Sequence, residues 1–127
     1  MNFNIRSIVP SETAFMQIRD IEGNLQYAED GSKPGIEFYG PGTREGRAAQ
    51  NYYLSNLKRL IDKKNKDNEL QEVERLKTAY VTKMTKRFVG FEIEGDMADF
   101  YGDPEFAHVT EDAYKFVGEQ GNFKKSS

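Results

Sequence analysis

Two stretches of helical periodicity, separated by a short polar break, constrain this chain more than any other feature. From Arg44 to Lys64 the apolar residues fall at Ala49, Tyr53, Leu57, Leu60 and Ile61, with Tyr52 and Leu54 beside them. From Glu69 to Phe88 they fall at Leu70, Val73, Leu76, Tyr80, Met84 and Phe88. Spacings of three and four predict amphipathic helices. Neither stretch contains proline, and Asn65-Lys66-Asp67-Asn68 is suited to a helix–helix connection. Two such helices on a short connection pack antiparallel.

The segment before them has a different period. Thr13–Arg19 reads as a strand, Asp20–Asn24 carries turn chemistry, and Leu25-Gln26-Tyr27 reads as a short returning strand. Ala28–Pro34 is a loop, and Gly35–Tyr39 alternates apolar and polar residues up to Tyr39, as a further strand does. Gly40-Pro41-Gly42 stops that strand, and Thr43 is placed to cap the first helix with its hydroxyl. After Gly90, Phe91–Glu94 alternates like a strand. Glu105–Glu119 follows as a last helix or a broken pair, with Thr110 capping the second piece and Ala113, Phe116 and Val117 facing the core. The predicted fold class is α+β: a small N-terminal antiparallel sheet, a helical hairpin and a short C-terminal helix. Residues 1–127 form one domain in this reading, with flexible ends at 1–12 and 124–127.

Composition narrows the function classes. Hydrophobic residues make up only 37% of the chain, but nine Phe and seven Tyr argue for a packed, aromatic core over disorder. With no cysteine, disulfides and thiolate metal sites drop out. No apolar run approaches the ~20 residues that span a bilayer, and the N-terminus lacks the apolar stretch of a secretory signal. The expected setting is the cytoplasm.

Candidate chemistry is sparse. His108 is the one histidine, and no Gly-x-Ser-x-Gly elbow accompanies it, so it reads as a structural residue of a helical turn. Glu92, Glu94, Asp96, Asp99 and Asp103 do not follow calcium-loop spacing and read as a solvated acidic face. Gly40–Thr43 lacks the lysine ending of a phosphate-binding loop. The expectation is a non-enzyme without metal or cofactor.

Charge is unevenly spread. Residues 43–88 carry twelve basic and six acidic groups, and residues 89–122 carry nine acids and one lysine. Two readings follow: the basic helices fold against the acidic segment within one molecule, or copies associate through these regions. The basic patches Lys58-Arg59, Lys63-Lys64, Lys66, Lys83 and Lys86-Arg87 also raise a nucleic-acid reading. A pI near 5.3 and the acidic C-terminal third oppose it.

Three stretches carry a family resemblance: Ile36–Thr43 leading into an Ala-rich helix start, Thr82–Phe91, and Phe116-Val117-Gly118-Glu119-Gln120-Gly121-Asn122-Phe123-Lys124. In order and spacing they resemble the phage tail assembly chaperones over about residues 36–124. Many relatives carry Trp near the second stretch, where this chain has Phe88 and Phe91.

The resemblance implies a protein that binds the long tape measure protein, and in turn other tail proteins, keeping the client soluble while the tail tube forms. It implies work in the cytoplasm of the bacterial host, absence from the mature virion, and no catalytic residues. Phe116, Gly121, Asn122 and Phe123 are the candidate partner contacts; the alternative places Phe116 and Phe123 in the core. Two rival functions remain at this point, a minor structural tail or baseplate component and a nucleic-acid-binding regulator.

Overall fold

The computed structural model describes residues 3–62 and 69–123. The connection expected at 65–68, the basic residues Lys63, Lys64 and Lys66, and the end at 124–127 lie outside the described residues.

Strands β1 (Thr13–Gln17) and β2 (Gly35–Tyr39) are followed by helices α1 (Arg44–Asp62) and α2 (Glu69–Met84). Strand β3 (Thr85–Val89) and helices α3 (Met97–Gly102) and α4 (Ala107–Gly118) complete the chain. The sheet is antiparallel in the order β1-β2-β3, so the helical hairpin is inserted between two neighbouring strands. This is the α+β class read from the sequence.

The N-terminal expectations hold in outline. β1 stops two residues earlier than expected, and the returning strand at 25–27 reduces to one bridge between Arg19 and Leu25. The turn between them is closed by the Asp20 carboxylate, which accepts from the backbone N–H groups of Glu22 and Asn24, both at 2.9 Å. Of the expected flexible end, residues Ile5–Ile8 form a 3-10 turn.

Thr43 is placed as its sequence position predicts. Its hydroxyl accepts from Gly46 N–H at 3.0 Å while donating to the Gly40 carbonyl at 2.7 Å. The β2–α1 corner is thereby locked.

Three expectations are corrected. First, helix does not run to Phe88: α2 ends at Met84, and Thr85–Val89 pairs with β2, joining Ile36 to Phe88 and Glu37 to Arg87. Phe88 follows Met84 at helical spacing, but two β-branched residues and an open edge of β2 favour the strand there. Lys86 and Arg87 therefore project from a strand, where both pair with Glu37 at 3.6 and 3.1 Å.

Second, Phe91–Glu94 is not a strand. Gly90 takes φ 80°, which turns the chain out of the sheet and stacks Phe91 back on Phe88 at 5.1 Å.

Third, Thr110 is not a cap. The last region divides at a 3-10 turn, Pro104–Phe106, and Thr110 sits inside α4 with its hydroxyl donating to the Tyr101 carbonyl at 2.9 Å. The helix before it, α3, went unforeseen although its signal is in the chain. Asp96 and Asp99 form a reciprocal capping box, each side chain accepting from the other's backbone N–H.

The core lies between the sheet, the C-terminal half of α2, α3 and α4. Ile36, Phe38, Val81, Met84, Ala113 and Phe123 have no exposed surface. Tyr101 and Thr85 share a buried hydrogen bond of 2.6 Å at its centre.

Candidate functional site

The closing segment packs where α4 returns to the sheet. Phe116 lies 5.5 Å from Phe38, and Phe123 meets Phe116 edge-on at 6.0 Å. The Asn122 side chain donates to the Phe116 carbonyl at 2.9 Å, and Ser11 N–H donates to the Phe123 carbonyl. The four candidate contact residues are thus brought together, but with unequal access. Phe123 is 0% exposed, Phe116 and Asn122 are half-buried, and Gly121 is exposed. The Phe123 ring serves the core in this conformation, and a partner touching this segment meets Gly121 first.

The other candidate surface is the helical hairpin, whose nineteen-residue first helix is about 28 Å long. α1 is anchored near its start. Ala49 is buried, and Tyr53 packs at 4.7 Å on Tyr80 and shares a 2.7 Å hydrogen bond with Tyr114. Beyond that point α1 and α2 pack on each other, and their apolar side chains come to the surface. Leu54 is 60% exposed, Ile61 63% and Leu70 83%, although Ile61 and Leu70 belong to the apolar stripes read from helical spacing. Periodicity identifies the apolar face of a helix but not what covers it.

Seven positions separate Leu54 and Ile61, which places them on one stripe of α1. A hollow of about 270 Å³ opens beside that stripe, lined by Gln50, Tyr53, Leu54, Tyr80 and Tyr114. On the other side of α1 a shallow groove of about 910 Å³ runs between the helices, with Tyr52, Arg59, Arg75 and Leu76 in its walls. The Lys83 ammonium lies 4.6 Å from the centre of the Tyr52 ring.

The tyrosine cluster carries a pH signature. Burial, with the bond to Tyr114 second, pushes the Tyr53 phenol up to about 12. Burial also raises Tyr80 and Tyr101. An unfolded tyrosine ionises at about 10, so above that pH the unfolded chain loses protons the fold retains. Stability is expected to be intact below pH about 10 and to fall steadily towards 12. Circular dichroism followed beside tyrosinate absorbance checks this: ionisation of the buried Tyr53, Tyr80 and Tyr101 should coincide with unfolding, and their free ionisation near 10 with the fold intact would contradict it.

The remaining sequence candidates have structural positions. His108 is half-buried on α4, with Nε2 3.2 Å from the Arg19 carbonyl oxygen. Asp96, Asp99 and Asp103 cap helical turns. Among the described residues no cluster of metal-ligating side chains occurs, and no helix is long and apolar enough to cross a membrane. The aromatic hollow and the groove were not read from the sequence, because each is made by residues that only helix–helix packing brings together. Comparison with protein-family models, curated proteins and solved structures finds no match.

Proposed function

We propose that this chain is a tail assembly chaperone of a tailed phage, a binding protein without catalysis that keeps the tape measure protein soluble during tail assembly. The observation that carries the reading is the half-covered helical hairpin. Leu54 and Ile61 form an exposed apolar stripe beside a tyrosine-lined hollow, on a helix held firmly at its other end. An amphipathic helix of a long helical client has its apolar stripe to bury, and a stripe of this kind accepts it. The family resemblance supports the same reading. Its three stretches meet in one place, since β2 pairs with β3 and Phe38 packs on Phe116. In this proposal the protein acts in the host cytoplasm and leaves before the virion is complete.

Co-expression with the tape measure gene of the same genome tests the proposal. The client should be retained and soluble, and Leu54→Asp with Ile61→Asp should release it from a protein that still folds. An insoluble, unbound client beside folded wild-type protein would overturn the reading. Mass spectrometry of purified particles would then test the structural tail component.

A further inference from the structure

The sheet has two edges, and the chain guards only one of them. β3 carries exposed Lys86 and Arg87, and its pairing with β2 slips between Glu37 and Phe38. Charge and a bulge of this kind discourage a further strand. β1, at the other edge, reads Thr-Ala-Phe-Met-Gln, with no charge, no proline and an unbroken register with β2.

The direction of its free groups follows from the ladder. The Glu12 carbonyl accepts from Gly40 N–H, and Ile18 N–H donates to the Pro34 carbonyl. Every second residue between them, Ala14 and Met16, therefore turns its backbone groups to β2, while Thr13, Phe15 and Gln17 turn theirs outward. Ser11 and Arg19 continue the outward set, and both are engaged. Ser11 N–H donates to the Phe123 carbonyl, and the Arg19 carbonyl oxygen lies 3.2 Å from His108 Nε2. Thr13, Phe15 and Gln17 have no backbone partner on that side among the described residues. α4 and the 3-10 turn after it, Gln120–Phe123, thus pin the two ends of the edge and leave its middle open.

Beside that middle lies a cleft of about 280 Å³ between β1 and α4. Met16 and Phe116 give it apolar walls, and Gln17 and Asn122 bring neutral amides. Two bases, Arg19 and Lys115, are balanced by two acids, Asp112 and Glu119. On the solvent face of the sheet Phe15 is 42% exposed, its ring lying across Gly35 of β2. A helix, about 10 Å across and with its own backbone bonds satisfied, would neither enter the cleft nor complete the edge. An extended chain does both. Its alternate residues exchange hydrogen bonds with β1, one set of side chains enters the cleft, and the other set covers Phe15.

We propose that the β1 edge binds an extended, uncharged segment of another polypeptide as a fourth strand, its apolar side chains alternating between the cleft and Phe15. Main-chain hydrogen bonds supply the affinity, and the balanced charges around the cleft ask for no net charge on the partner. The proposal is independent of the client reading, which rests on Leu54 and Ile61 of α1, and its test uses a synthetic peptide in place of the client.

Amide hydrogen exchange of the full chain, read residue by residue by NMR, tests it with the blocked peptide acetyl-Val-Thr-Val-Thr-Val-amide. In the free protein Thr13, Phe15 and Gln17 should exchange roughly tenfold or more faster than Ala14 and Met16. With a Kd of about 1 mM or tighter, about 2 mM peptide occupies at least two thirds of the chains and slows exchange at Thr13, Phe15 and Gln17 about threefold or more. Exchange at Phe88 on β3 should not change, and about 0.5 M salt should leave the slowing intact. The peptide has two sets of alternate amides. N-methylating the set that faces β1 should abolish the effect, and N-methylating the other should preserve it. Thr13→Pro removes an outward donor at the first residue of an edge strand and should abolish the slowing at Phe15 and Gln17. The N-methylated peptides decide the matter if proline there impairs folding. Thr13, Phe15 and Gln17 already protected in the free chain, or no slowing at that peptide concentration, would overturn the proposal. So would slowing at Phe88 instead, or an equal effect of the two N-methylated sets.

Discussion

Phe123→Ala is expected to lower the stability of this protein by about 3–5 kcal/mol. The ring has no exposed surface and stands edge-on to Phe116, which in turn packs on Phe38 of β2. Removing it loses the burial of a phenyl group and leaves a cavity among side chains held by the sheet on one side and α4 on the other. The backbone there is not free to collapse, because the Phe123 carbonyl accepts from Ser11 and the Asn122 side chain is tied to the Phe116 carbonyl. Domains of this size have a total stability of about 5–15 kcal/mol, so the variant should sit near its unfolding threshold and melt about 10 °C or more lower. Urea denaturation checks it: the midpoint should fall with the slope unchanged. The result also decides between the two roles read for the closing segment. A loss below about 1 kcal/mol, together with loss of client capture, would return Phe123 to the partner-binding surface.

Gly46→Ala should destabilise the protein even though alanine favours a helix by about 1 kcal/mol over glycine. Gly46 lies in the first turn of α1, buried against the β2–α1 corner. A Cβ at this position would fall on the Gly40 carbonyl oxygen, with the Gly40 carbonyl carbon at 3.0 Å and the Thr43 hydroxyl at 3.1 Å. None of these is the free end of a flexible side chain. The Gly40 carbonyl accepts from Thr43, and Gly40 N–H donates to Glu12 at 2.7 Å. Relief requires α1 to move off the sheet, so overpacking should outweigh propensity and leave a net loss of about 1–3 kcal/mol. Gly118→Ala is the matched control. A Cβ there meets open space, and the change should be neutral or stabilising by up to about 1 kcal/mol. If both variants gain stability alike, the corner is looser than its hydrogen bonds imply.

The candidate surfaces were legible to different degrees. Ile61 was visible on the helical stripe of α1 with Leu54 beside it, but their exposure was not. That exposure follows from α1 having α2 as its main packing neighbour, which no periodicity reports. Phe116 and Phe123 stood out as a paired aromatic motif in the closing stretch, and packing against Phe38 turned the pair into a clasp on the core.

The amino-acid sequence by itself determined the features set by neighbours along the chain. These are the strand at Gly35–Tyr39, the Thr43 cap, the two amphipathic helices and the α+β class. It also held the Asp96–Asp99 capping box, a local signal that reading for turns passed over. Tertiary structure decided what local preference leaves balanced. Thr85–Val89 continues a helical stripe through Phe88 yet carries two β-branched residues, and the unpaired edge of β2 selected the strand by satisfying its backbone groups. The same pairing drew the chain back from the helical hairpin to the sheet. That return covers one end of the hairpin with the core and leaves the apolar positions of the other end on the surface.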